Sequence, residues 1–161
     1  MKERMIAKMI EFYHGVRTDV AHFLKVYAYA ETIGRLEGLD EKTQNILELT
    51  AIVHDISCPL CREKYGNAAG KYQEAESEAL LVPFLQEFDL PEDVRSRIIY
   101  LVSHHHTYDN VDGMDYRILL EADFLVNADE GHRSRDAILA FRDNVFRTKS
   151  GTALLDSIYL R

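Results

Sequence analysis

Proline is scarce in this chain, with 3 in 161 residues, and no stretch alternates apolar and polar residues for the length of a strand, so nothing in the pattern supports a sheet. Long apolar runs are also missing. The longest, such as "ALLVPFL" at 79–85, are far too short to cross a bilayer. The opening "MKERMIAKMIEFYHG" is charged and amphipathic, without the apolar core and cleavage site of a signal peptide. These features set the expectation of a cytoplasmic protein with no membrane partner. There is no block of basic residues either: 19 Lys and Arg stand against 27 Asp and Glu, a formal charge of −8. Affinity for a phosphate backbone comes from clustered cations, so a nucleic-acid partner is disfavoured. Cys58 and Cys61 are the only cysteines, and with no oxidising context they are expected to be reduced.

What is present is an ordinary globular balance, 47% apolar and 29% charged, in a chain long enough to bury about two thirds of its unfolded surface. Apolar residues recur at three and four along most segments, which predicts an all-α, single-domain helical bundle over 1–161. A first helix is expected near 2–13. A second runs from about Asp19 to Leu36, with Thr18 and Asp19 as capping candidates, and ends around Gly38. Asp40 then caps a third, which runs to Ser57 and is stopped by Pro59. A short helical turn and a loop fill 58–70. A helix over Lys71–Phe88 is expected to kink or break at Pro83, and Pro91 opens another that reaches the run His104, His105, His106. After the polar loop "TYDNVDGMD", a helix spans about Met114–Asp129, and one or two closing helices occupy 131–161.

Three places break the burial rule. "ELTAIVHDISCPLC" puts His54 and Asp55 among residues that otherwise read as interior; Asp123 lies within "LLEADFLV"; His22 begins "HFLKVYAYA". Singly, each reads as a hydrogen-bonded core residue or a salt-bridge partner. Together, two imidazoles and two carboxylates on three inward faces would relieve one another's desolvation if a divalent cation sat between them. Such an ion also supplies the Lewis acid that phosphate-ester hydrolysis needs.

The order His22, then His54 with Asp55, then Asp123 resembles the H…HD…D signature of the HD-domain superfamily of metal-dependent phosphohydrolases. "DVAHFLKVYAYAETIG" looks like the first metal helix, "LTAIVHDI" like the signature helix and "LLEADFLVN" like the last. The likeness spans about 16–130. It implies the family's helical bundle, His22, His54, Asp55 and Asp123 as metal ligands, and Asp55 as the residue joining metal binding to water activation. It implies a cofactor of one divalent ion, from among Mn, Co, Ni, Fe, Mg and Zn.

Some members of that family hold two metals, with an extra histidine at the start of the helix after the HD element. Here that stretch reads "GKYQEAESEAL", with Gln73 at the position. Amide nitrogen is a poor ligand, which favours a single ion. His105 falls in line with the inward stripe Leu101, Val102 and is a candidate ligand or catalytic residue; His106 and Lys71 are candidate substrate contacts, with Arg62 and Lys64 as further cations. Many members carry Lys or Glu three residues after the signature Asp, where this chain has Cys58. No second CxxC exists to complete a zinc site, and no strand precedes this one as in a redox motif. The expected function is hydrolysis of a small phosphorylated molecule, a nucleotide or related monoester, with a homodimer possible. The rival readings are a non-catalytic module binding a metal and a phosphorylated ligand, and a dinuclear hydrolase of a dinucleotide or polyphosphate.

Overall fold

Asp40 carries the strongest helix-start signal in the sequence, and its carboxylate accepts the N–H groups of Lys42 and Thr43 at 3.0 Å each, together with the Thr43 hydroxyl at 2.6 Å. Two donors that the first turn leaves unpaired are thereby satisfied. The computed structural model describes all 161 residues. It contains helices α1 (Lys2–Phe12), α2 (Arg17–Leu36), α3 (Glu41–Val53), α4 (Cys58–Tyr65), α5 (Gly70–Gln86), α6 (Glu92–His104), α7 (Met114–Glu130), α8 (Arg135–Asn144) and α9 (Lys149–Tyr159), and no strand. The architecture is all-α, as the periodicity predicts.

Helix α2 packs most extensively against α3 and α7; α3 also rests on α6, and α5 pairs with α6. Helix α1 covers α3, while α8 and α9 pack together and α9 closes over α7. The apolar faces meet in one cluster of 36 buried side chains. Helix α7 runs through its middle and is buried on nearly every side, so its polar residues need partners. Asp115 receives Arg97 through Nε at 2.9 Å and Nη2 at 2.7 Å. Glu121 accepts the N–H groups of Arg147 and Thr148 at 2.7 and 2.9 Å, and the Thr148 hydroxyl. Asp123, in the same helix, is faced by histidines instead.

Five local features differ from the sequence reading. Helix α3 ends at Val53, so His54 and Asp55 lie in the turn after it. Pro59 does not stop that helix; it sits in the first turn of α4, where a missing N–H costs nothing. The stretch 58–65 is a full helix of 8 residues ended by Gly66 in the left-handed conformation (φ 76°), rather than a single turn. Helix α2 begins at Arg17 with no side-chain cap, Thr18 and Asp19 lying inside it, and α5 continues unbroken through Pro83, which removes one N–H from its last turn. No helix is long and apolar enough to cross a membrane.

Helix α2, which carries His22, packs against α3 with no room for a side chain at Gly34. A Cβ there would overlap Gln44 Oε1, and the Gln44 amide is held in place by donating to Glu48 Oε1 at 2.7 Å and to the Glu31 carbonyl at 3.3 Å. Gly34→Ala gains about 1 kcal/mol in helix preference but overpacks a fixed contact, which costs ~1–3 kcal/mol. We expect the urea midpoint to fall; a midpoint that stays or rises would mean the amide simply swings aside.

Candidate metal centre

Helices α3 and α6 end in the same way. The last carbonyls of a helix lack intrahelical partners, and in both cases a histidine at the C-cap folds back to supply one. His54 Nδ1–H donates to the Ala51 carbonyl at 2.8 Å, and His105 Nδ1–H to the Val102 carbonyl at 2.7 Å. A carbonyl only accepts, so the proton is on Nδ1 and each Nε2 is turned inward. Both rings are buried, at 0% and 1% exposure. His22, from α2, is oriented by a carboxylate instead: its Nδ1–H donates to Glu130 Oε2 at 2.8 Å, and Glu130 is paired with Lys25 at 2.6 Å.

The inward atoms converge. His22 Nε2 lies 3.3 Å from His54 Nε2, 3.2 Å from Asp123 Oδ1 and 3.2 Å from Asp55 Oδ2. His54 Nε2 is 3.5 Å from each of the same two carboxylate oxygens. Ligands about 2.0–2.2 Å from a shared ion stand about 3–3.5 Å apart, so the spacing suits a divalent cation, and the mixed nitrogen and oxygen donor set does too. Without a cation, lone pairs would face lone pairs in a buried site. The His22 imidazole answers this by holding a proton: burial disfavours its charge, but Asp123, Asp55 and Glu130 outweigh burial and raise its pKa to about 10. The same imidazoles hold the Asp55 and Asp123 carboxyls below the usual carboxylate range, against the effect of burial.

Asp55 faces two ways. Its other oxygen, Oδ1, lies 3.4 Å from His105 Nε2, and Asp55, His105 and His106 form a second group able to hold an ion. The His105 and His106 Nε2 atoms are buried and unpartnered by any hydrogen bond. Burial and the neighbouring His105 lower the His106 pKa to about 4, so this ring is neutral with a lone pair on offer. Gly70 makes room for it, since a Cβ there would come within 2.7 Å of His106 Cβ and Cγ. Glu74 Oε1 fixes the segment by accepting the His106 N–H at 3.1 Å and the Thr107 hydroxyl at 3.0 Å.

Gln73 alters the single-ion argument. Its Nε2 is used in donating to the Ala68 carbonyl at 2.8 Å, leaving Oε1 buried and unpartnered. The amide thus presents oxygen, not nitrogen. Gln73, His106 and Asp123 line a cavity of about 410 Å³, walled by Tyr108, Phe124 and Phe141 and reached by Asn127 and Arg133.

Other residues singled out from the sequence are not brought there. Lys71 is exposed, its Nζ 4.8 Å above the Tyr72 ring, which itself stacks on Tyr65; its expected contact with substrate finds no support in this placement. Arg62 pairs with Asp19 and Lys64 with Glu76 at 2.5 Å, so neither is a free cation. His104 stacks on Tyr100 and donates from Nδ1 to its carbonyl at 2.7 Å. Cys58 and Cys61 are buried free thiols; burial and then the charge of Asp55 push the Cys58 thiol well above its ordinary pKa. Sequence reasoning missed Glu130, although it lies seven residues after Asp123 on the same helical face. It also missed Arg133 and the aromatic wall, for which no local pattern gives a signal.

The proton on His22 has a pH signature. A folded pKa of about 10 against an ordinary 6.5 means that the metal-free protein has this stabilisation in full below pH ~6.5 and loses it as pH rises toward ~10. A cation taking the same place must displace the proton. Thermal unfolding with chelator is therefore expected to weaken across that window while the stabilisation added by Mn²⁺ or Zn²⁺ grows. A metal effect independent of pH would count against His22 as a ligand.

Comparison with protein families matches the HD domain model over residues 20–139. Comparisons with curated proteins and with solved structures gave no match. The matched stretch runs from the start of α2 into α8, takes in every residue that converges on the centre and covers most of the chain, and on that match the protein belongs to the HD domain family, whose members bind divalent metals and are commonly hydrolases.

Proposed function

We propose that the protein is a metal-dependent phosphohydrolase of a small phosphorylated molecule, with His22, His54, Asp55 and Asp123 as the ligands of its ion. The observation that carries this reading is the joining of two features at Asp123: the four-donor cluster and the cavity of about 410 Å³ share that residue. A divalent ion in the cluster would supply positive charge to phosphoryl oxygens and acidify water at neutral pH.

The chain's own groups supply the rest. Glu130 and the Ala51 carbonyl keep both imidazoles turned inward, a preorganisation that outer hydrogen-bond partners commonly give to metal ligands. Asp55 stays ionised and presents one oxygen to the cluster and one to His105. His105, whose proton affinity is raised by Asp55 against the effect of burial, can hold a proton beside the reacting phosphate and stabilise the charge that develops there. His106 and Arg133 face the cavity as acceptor and cation. Cys58 stands where related proteins often carry a charged residue, and its buried thiol stays protonated and brings no charge. The phosphate's countercharge would then come from an ion in the cluster, protonated His105 and Arg133.

A second reading is favoured by one specific observation: Asp55 Oδ1 and the unpartnered Nε2 atoms of His105 and His106 form a separate donor group. On that reading His105 and His106 would hold a second ion, with Asp55 offering an oxygen to each donor group, which suits a substrate bearing more negative charge.

Phosphate release from nucleotides and sugar phosphates, screened with Mn, Co, Ni, Mg and Fe, is expected to show turnover with at least one metal. Asp55→Ala should lose bound metal and reduce turnover at least about a hundredfold; retention of both would sink the proposal. Ligand binding without release under every metal would favour a binding module. Metal analysis of His105→Ala separates the readings, since a fall from two ions to one per chain supports the dinuclear centre and an unchanged single ion excludes it.

A further inference from the structure

The cavity beside Asp123 has a shape and chemistry of its own. At about 410 Å³ it falls within the roughly 300–1,000 Å³ of sites for single small molecules. One wall is aromatic. Phe124 and Phe141 stack face to face, centroids 3.7 Å apart and planes 4° from parallel, and Tyr108 meets Phe141 edge-on at 5.2 Å. Tyr108 is 46% exposed although it belongs to this cluster, and a large ring left open beside an apolar wall marks a surface to be covered by a ligand.

Two amides complete the lining. Asn127 sits one helical turn after Asp123 on α7, so it faces the cavity with one donor group and one acceptor. Gln73 is 5% exposed, and its Oε1 has no partner. The bond from its Nε2 to the Ala68 carbonyl fixes which end is oxygen, so the group it awaits must be a donor. A buried acceptor left unmade costs about 1–3 kcal/mol, which a ligand hydroxyl at this spot would recover.

Resting on the phosphohydrolase reading above, we propose that the substrate is a ribonucleoside monophosphate, its base against Tyr108 and Phe141, a ribose hydroxyl donating to Gln73 Oε1, and its phosphate at the histidine–aspartate cluster. The alternatives leave part of the lining unmet. A sugar phosphate offers hydroxyls but no flat ring for the aromatic wall. An aryl phosphate offers the ring but no hydroxyl for Gln73. A ribonucleoside supplies both, and its base has the mixed donor and acceptor edge that Asn127 can read. Ribose offers Gln73 two hydroxyls where a deoxyribose keeps one, so Gln73 is then a specificity-determining residue that reads one ribose hydroxyl and disfavours the deoxy form that lacks it.

The test uses ligands that bind without being hydrolysed: the 5′-methylenephosphonate analogues of the four common ribonucleoside monophosphates, their 2′- and 3′-deoxy forms, and the ribose analogue lacking a base. Affinities are read by calorimetry on the full chain loaded with Mn²⁺. At least one ribonucleoside analogue is expected to bind about 30-fold or more tighter than the base-free one, the worth of one stacked base. Tyr108→Ala should cut that ratio about tenfold. Gln73→Leu should cut the ribose-to-deoxyribose ratio to about one, removing a preference of up to roughly tenfold, with metal content unchanged. Equal binding of nucleoside and base-free analogues, or a Gln73→Leu loss shared by all ligands, would overturn the proposal. Because Tyr108 is exposed, its variant is informative even if the Gln73 variant misfolds. Turnover of base-free phosphates without nucleoside preference would overturn this proposal and leave the phosphohydrolase reading intact. Discrimination with no phosphate release under any metal would overturn the phosphohydrolase reading and leave the ribonucleoside monophosphate as a bound ligand rather than a substrate.

Discussion

The approach of His22 Nε2 to His54 Nε2, 3.3 Å apart with Asp55 and Asp123 beside them, is the constraint around which the structure is organised. Two imidazoles already committed through Nδ1 cannot satisfy each other, so a positive charge must be present, whether a proton on His22 or a divalent ion. Burying such a set is unfavourable unless its members are held in register. The surrounding helices do this: α2 and α7 carry His22 and Asp123 on facing surfaces, Glu130 at the end of α7 returns to orient His22, and Gly34 lets α2 approach α3.

Helix ends do a large share of the positioning. His54 and His105 each cap the helix that precedes them, so the bond that completes α3 or α6 also selects the ring tautomer. Asp55, one residue beyond the first cap, is free of helical constraint and can direct its oxygens to two sides. A histidine inside α3 would be tied to the orientation of its neighbours Val53 and Ile52, which are buried in the core. The turn between Val53 and Cys58 thus separates the requirements of packing from those of the site.

Much of this was legible before any coordinates. The three- and four-residue periodicity leads to an all-helical fold, Asp40 and Gly38 mark real boundaries, and the misplaced polarity of His22, His54, Asp55 and Asp123 points to residues that the fold brings together. What could not be read depends on tertiary geometry. Nothing local to Pro59 says whether it ends one helix or begins the next. Lys71 and Arg133 look equivalent as cations, yet Lys71 lies over a tyrosine outside the cavity and Arg133 reaches into it. Which end of the Gln73 amide is on offer depends on the Ala68 carbonyl, five residues away and brought close by the turn into α5.

The four donors come from separate pieces of chain: α2, the turn after α3, and α7. No single helix, and no pair of neighbours in sequence, contains a working set, so the centre exists only while all three are docked. An ion bound there has no counterpart in a partly opened chain, and by mass action it penalises every state in which any one of these helices has moved away. The cation would act as a rivet through the middle of the bundle, coupling the cooperativity of unfolding to the occupancy of the site.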